Sequence, residues 1–410
     1  MRKPQIFYGW VIVAAGAMLI AYSSIISYGF TAFINPIAAS FGWSYAQISL
    51  AMSLRGLETG ALNPLVGFAV DRWPARNLVL IGILIFASGL VFLSQISSLP
   101  MFYVGFLIVG LGASLFAYMI PPTMVARWFR KDIGKASGIL ATGAAFGGLG
   151  IPVLVMIMDT YGWQNAFLVL AGGILVMGIP LAFLFRNRPE DYGMLPDGKL
   201  LGEVDSENPG NEPEISISVG VALRMRAFWH IALSTSLQSV VWAGVVTYMM
   251  PYLTSLGIVR STAGLITMMV PLSSLVGRLT FGFMTDKYVN KHIWALSLIL
   301  LIISLVILWQ VDGASYVMLI SFAVFFGLGI SGFLPVRTPL FQEYFGIKNF
   351  GTILGLSSVF MTIGMVLSPP IVGWFYERLG VYDPIWMVLI GVAIAAAVAM
   401  GTMPPPKQIE

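Results

Sequence analysis

The chain has 410 residues, of which 58% are hydrophobic and 10% charged, with a formal charge of +4 and no cysteine. Soluble domains carry about one charged residue in four, and a water-soluble chain of this length would need polar surfaces for roughly two or three domains that this composition cannot build. Lipid is therefore the expected solvent, and the lack of thiols excludes a disulfide framework, thiolate catalysis and cysteine-bound metal.

A bilayer core of roughly 30 Å takes about 20 helical residues. Dividing the apolar runs where turn residues and charges cluster predicts twelve spans, beginning near Phe7, Ser44, Asn77, Pro100, Ile133, Trp163, Ala227, Arg260, His292, Ser315, Lys348 and Asp383. The first run, from about Phe7 to Thr31 behind Arg2 and Lys3, is too long for a signal-peptide core and reads as an uncleaved span. The longest polar connection, 186–226, reads as a cytoplasmic linker between an N-terminal six-helix half over 1–185 and a C-terminal one over 227–410. Placing the N-terminus inside puts 18 of the 22 Lys and Arg residues on that side, with Arg127, Arg337, Lys199 and Lys407 among the loop and tail cations. Only Arg260 and Arg378 fall on the other side, and Arg55 and Arg278 fall within spans. This bias predicts a multi-pass protein of the cell's inner membrane with both termini cytoplasmic.

A shift of 215 residues aligns Pro36 with Pro251, Gly42 with Gly257, Gly67 with Gly282, Asp71 with Asp286, Arg72 with Lys287 and Arg76 with Lys291. Further along, a shift of 217 brings Gly110-Leu111-Gly112 onto Gly327-Leu328-Gly329, Gly138 onto Gly355 and Pro152 onto Pro369. The expected fold class is an all-α membrane protein of twelve helices in two parallel six-helix repeats, the organisation of a transporter whose halves rock about a midplane site.

The segment Gly67-Phe-Ala-Val-Asp71-Arg72-Trp-Pro-Ala-Arg76, repeated as Gly282-Phe-Met-Thr-Asp286-Lys287-Tyr-Val-Asn-Lys291, resembles the loop signature of the major facilitator superfamily. Within that superfamily, Tyr8-Gly9-Trp10, and Trp128-Phe129-Arg130-Lys131 with Gly134-Lys135-Ala136-Ser137-Gly138, resemble the signatures of monocarboxylate transporters. The stretch from Arg186 to Gly198 is similar to the linker of their bacterial relatives, oxalate:formate exchangers included. The resemblance implies that Asp71, Arg72, Asp286 and Lys287 latch the cytoplasmic side in the outward-open state, although such residues could also be solvated loop charges.

An arginine at membrane depth calls for an explanation. Arg278 lies eight residues, roughly 12 Å of helix, before Asp286, and no acid lies within one turn of it; its repeat partner is Asn63. A guanidinium offers a carboxylate two parallel donors, and the resemblance implies a functional arginine at this place. The alternative is a cation bonded to backbone carbonyls or to Glu58. Arg55 and Glu58, three residues apart, can meet on one helical face, so Glu58 is either half of a neutralised pair or a protonatable coupling group with Arg55 beside it. Eukaryotic members of the family resemble one another in an acid one turn before the span 8 arginine, where this chain has Ser274. Tyr118, in mid-span 4, is the expected hydroxyl contact to substrate. Tyr28, Ser274, Asn63, Gln238 and Trp242 are further candidates, each of which could instead be a helix-packing contact.

The expected function is secondary active transport of a small monocarboxylate anion resembling lactate or pyruvate, in symport with a proton, by a monomer embedded in membrane lipid. A carboxylate exchanger of the oxalate:formate kind is the alternative. The exchangers' second cation in span 11 has no counterpart between Phe350 and Trp374, which favours a single carboxylate. An enzyme would need a nucleophile with a base or a metal cluster, and neither is visible; no cofactor, metal or catalytic residue is expected. Basic residues spread along loops give no nucleic-acid surface. His230 and His292 read as residues at helix ends, and Gly143 to Gly150 as a helix-packing stripe.

Overall fold

The computed structural model describes residues 7–198, 217–311 and 315–405. The expectations for Arg2, Lys3, Lys407 and residues 199–216 of the linker, Lys199 among them, fall outside them. Ten described helices are long and apolar enough to cross a membrane. One of them turns back on itself, and the more polar helix Tyr45–Arg72 is 28 residues long, so twelve passes result.

In chain order these are α1 (Tyr8–Phe41), α2 (Tyr45–Arg72), α3 (Ala75–Ser94) and α4 (Leu99–Trp128). The helical stretch Ile133–Phe183 divides at Gly162, whose φ of 84° lies in the region that favours glycine, into α5 (133–161) and α6 (163–183). The second series is α7 (Arg226–Ser255), α8 (Arg260–Thr285), α9 (Asn290–Trp309), α10 (Tyr316–Phe345), α11 (Phe350–Leu379) and α12 (Asp383–Gly401).

Local chemistry sets several boundaries. Gly42, at φ 70°, and its repeat partner Gly257, at φ 80°, follow the ends of α1 and α7. Ser44 and Gln47 form a capping box that starts α2, with Ser44 Oγ accepting from Gln47 N at 3.2 Å and Gln47 Oε1 from Ser44 N at 2.9 Å. In α4, Pro121 and Pro122 cannot donate to the carbonyls of Ala117 and Tyr118, and the turns just before them, Ser114–Met119, widen to a π-helix.

Two expected loop cations belong to helices. Arg337 was expected in a loop, but α10 breaks only at Gly332 and continues as Phe333–Phe345, so Arg337 is a buried residue of that helix. A 20-residue window ended the span too early. Arg127 is likewise buried, in the last turn of α4.

The face of the bundle bearing the α2–α3, α4–α5, α8–α9 and α10–α11 connections carries most of the described cations and is called the basic face below. Among the described residues, every hydrogen bond joining α1–α6 to α7–α12 lies between mid-helix and that face.

Candidate functional site

The seal at the basic face is built twice from the same parts. Where α2 crosses α11, Gly67 and Gly351 bring the two backbones together, and a methyl on Gly351 would lie 2.7 Å from the Gly67 carbonyl oxygen. Where α8 crosses α5, Gly282 and Gly134 do the same, and a methyl on Gly282 would lie 2.7 Å from the Gly134 carbonyl oxygen. At each crossing an aspartate receives the free N–H groups of the opposing helix's first turn. Asp71 accepts from Gly351 N at 3.0 Å, Thr352 N at 2.8 Å and Thr352 Oγ1 at 2.7 Å. Asp286 accepts from Gly134 N at 2.6 Å and Lys135 N at 3.0 Å. A helix N-terminus favours negative charge at this place. Burial pushes the Asp286 carboxyl up, and these two donors pull it part of the way back.

Arg72 and Lys287, expected in the same latch, are exposed. The Arg72 guanidinium lies 3.4 Å from the centre of its own helix's Phe68 ring. Buried Arg127 is the cation nearest Asp71, at 3.8 Å, and it also donates to Val70 O and Asn187 Oδ1. Gln342 completes the seal, its amide donating to Ala126 O at 2.9 Å and Phe129 O at 3.2 Å. Backbone donors leave no mark in a sequence, which is why the motif pointed to the carboxylates and not to what they bind.

Deeper in the bundle the polar groups are not duplicated. Arg278 of α8 is partly buried; its Nη1 donates to the Ala141 carbonyl of α5 at 2.6 Å, and its buried Nε has no partner. The Tyr28 side chain of α1 interacts electrostatically with the same guanidinium. The backbone-carbonyl contact is thus present, but it occupies one nitrogen and leaves the charge without a carboxylate. Arg55 and Glu58 form no ion pair. Arg55 Nη1 donates instead to Ser27 Oγ at 3.2 Å, and Glu58 Oε2 is buried without a partner. Both side chains nevertheless pack against Gly110 of α4, so Arg55 stays beside Glu58 while its one side-chain hydrogen bond goes to the hydroxyl of α1. Residues 27 and 28 of α1 therefore touch both arginines, one on each side of the interface between the repeats.

The remaining candidates separate. Tyr28 and Tyr118 are exposed, at 48% and 38%, Tyr118 on the π-turn of α4. Asn63 and Ser274 are buried with Oδ1 and Oγ unpartnered, and Asn63 lies at the α2–α11 crossing beside Gly355. Gln238 is engaged at both ends, accepting from Trp294 Nε1 at 2.8 Å and donating to Gly329 O at 3.4 Å, which is the helix-packing arrangement. Trp242 is partly buried. His230 Nδ1 lies 2.7 Å from Ala399 O.

Twelve helices in two parallel repeats, sealed at one face around unpaired mid-membrane polar groups, define a membrane carrier. The chain belongs to the Major Facilitator Superfamily, whose model matches residues 12–261 and again 249–409. It is 24% identical to monocarboxylate transporter 2 of Homo sapiens, over 95% of this chain and 84% of that protein. Monocarboxylate transporter 12 of Mus musculus is 21% identical, over 98% of this chain and 87% of its own length. Two solved transporters share the fold: a double tryptophan mutant of XylE, with TM-score 0.77 and 15% identity over 98% of this chain and 96% of that one, and FucP in an outward conformation, with TM-score 0.71 and 14% identity over 97% and 99%. The relatives are carriers rather than enzymes, and the chain is a multi-pass membrane transporter.

Proposed function

We propose that this transporter moves a small monocarboxylate such as lactate or pyruvate together with a proton, across the cell's inner membrane, with one chain as the transport unit. The basic face is the cytoplasmic one, and the arrangement sealed there is outward-open. The halves 1–185 and 227–410, joined by 186–226, rock about the interface between them. The observation that carries the reading is Arg278, a mid-membrane cation held by one carbonyl of the other repeat, with Nε buried and unpartnered. A carboxylate supplies what that guanidinium lacks, since two parallel N–H···O bonds match its geometry. Tyr28 and Tyr118 are placed to orient the rest of the substrate.

Moving a carboxylate alone inward against 100 mV costs about 2.3 kcal/mol, and a co-transported proton cancels that charge. Ser274 stands where an acid is expected, so the coupling role falls to Glu58, whose Oε2 is buried and accepts no hydrogen bond from Arg55 or any other group. Substrate arriving at Arg278 displaces Tyr28, and through Ser27 on the same helix it disturbs Arg55 and then Glu58.

Proteoliposomes loaded with buffer alone test this. An acidic exterior drives accumulation of labelled carboxylate by the wild type, and Glu58→Gln binds the substrate but does not accumulate it. Uptake that requires a counter-substrate inside and ignores the pH gradient identifies an exchanger instead. Accumulation by Glu58→Gln equal to wild type makes Glu58 structural.

A further inference from the structure

Arg337 has no part in the carrier mechanism above, yet it is a buried cation 7% exposed. It lies eight residues, roughly 12 Å, before the end of α10, the same offset that separates Arg278 from Asp286. Its Nη2 donates to Leu354 O at 3.0 Å, Ser357 Oγ at 2.5 Å and Ser358 Oγ at 2.8 Å, all on α11. Nη1 and Nε make no hydrogen bond, and Nε is buried. Among the described residues no carboxylate pairs with it.

Three neutral acceptors on one nitrogen could clasp α10 to α11, but a clasp needs no charge, and a desolvated cation without a counterion is costly. Location supplies the reason for a charge. Gln342, five residues further along α10, reaches the carbonyls of Ala126 and Phe129 across the seal, and Ser357 lies just beyond the Gly355–Asn63 crossing. Parting α10 from α4 and α5, and α11 from α2, therefore opens the α10–α11 pair that Arg337 joins toward the path from Arg278 to the basic face.

We propose that Arg337, with Ser357 and Ser358, forms a second anion site that takes the substrate's carboxylate between Arg278 and the basic face once the seal opens. The two idle guanidinium nitrogens receive it, while Nη2 stays bound to α11. This rests on the carboxylate reading of the transporter, and its first test does not.

The chain has no cysteine, so Ser357→Cys places one thiol beside the guanidinium. Sealed vesicles are treated at the basic face with a sulfonate-bearing (anionic) or a trimethylammonium-bearing (cationic) methanethiosulfonate, each rate being normalised to that with a free thiol. The anionic reagent reacts about tenfold faster, the effect of roughly one charge-assisted contact, and the preference disappears when Arg337→Gln is added. Equal normalised rates, or no reaction from that face, overturn the proposal. In transport assays Arg337→Gln raises the half-saturating carboxylate concentration at the basic face by about tenfold and leaves that at the opposite face within about twofold, with Arg337→Lys restoring part of the loss. Equal loss at both faces indicates packing and overturns it. Should Arg337→Gln not fold, the single Ser357→Cys variant still decides. A retained reagent preference alongside undiminished uptake by Arg278→Lys sinks the carboxylate reading of Arg278 and leaves the inner site standing.

Discussion

The seal at the basic face and the polar groups at mid-membrane are parts of one duplicated bundle that obey opposite rules. At the seal each repeat contributes the same device: an aspartate, a glycine crossing, and the first-turn N–H groups of the partner helix. At mid-membrane the repeats diverge. Glu58 packs against Gly110, and its counterpart Ser273 packs against the counterpart Gly327, so the sites are equivalent in shape and different in charge. Ser273 bonds carbonyls of its own repeat, including Ala323 O at 3.2 Å, whereas Glu58 Oε2 bonds nothing. Arg278 faces the other repeat, and its counterpart is the neutral Asn63. The duplicated contacts join the two repeats, whereas the unduplicated groups are the ones proposed above to bind substrate and proton.

The sharpest break of this comparison comes from the asymmetric centre. Arg278→Lys keeps the charge and loses the planar pair of donors, so carboxylate uptake in proteoliposomes falls about ten- to a hundredfold, the worth of ~1.5–3 kcal/mol, with expression unchanged. Wild-type uptake would remove Arg278 from the site. Next come the crossings: Gly67→Val and Gly282→Val each place side-chain atoms in the opposing backbone, at ~1–3 kcal/mol, and open the basic face. Label accessibility of single cysteines at the buried repeat partners Ala136 of α5 and Ile353 of α11 measures that opening, and the two substitutions act alike if the devices are equivalent.

Asp71→Asn and Asp286→Asn sharpen the comparison at smaller scale. Asp71 has three donors and Arg127 nearby, and Asp286 has two donors, so both variants open the seal by roughly 1–2 kcal/mol with the larger shift at Asp71. A larger shift at Asp286 would mean that the count of donors does not set the strength of the latch. Tyr118→Phe has the smallest effect. One hydrogen bond from a partly hydrated hydroxyl is worth ~0.5–1.5 kcal/mol, or about a two- to tenfold rise in Km, and an unchanged Km leaves Tyr118 as packing.

The twelve passes and the repeat were legible because glycines, prolines and apolar runs carry them directly. The aspartates of the seal were legible by duplication, but Arg72 and Lys287 were not separable from them, since exposure is set by which turn of the helix reaches the crossing. Arg55 and Glu58 have the spacing of an ion pair, yet Ser27 on a distant stretch of chain takes the guanidinium. Arg337 was hidden by the length of its helix: Pro335 and Pro339 suggest an ending that Phe333–Phe345 does not make. Each miss involves a partner from another helix, which spacing within one helix cannot reveal.

The aspartates of the seal are held chiefly by peptide N–H groups rather than by mobile lysine or arginine tips. Dissolved salt screens exposed charges over about 8–10 Å, but it has little hold on short, partly buried bonds to a helix end. Opening of the seal should therefore depend little on the ionic strength of the solution at the basic face.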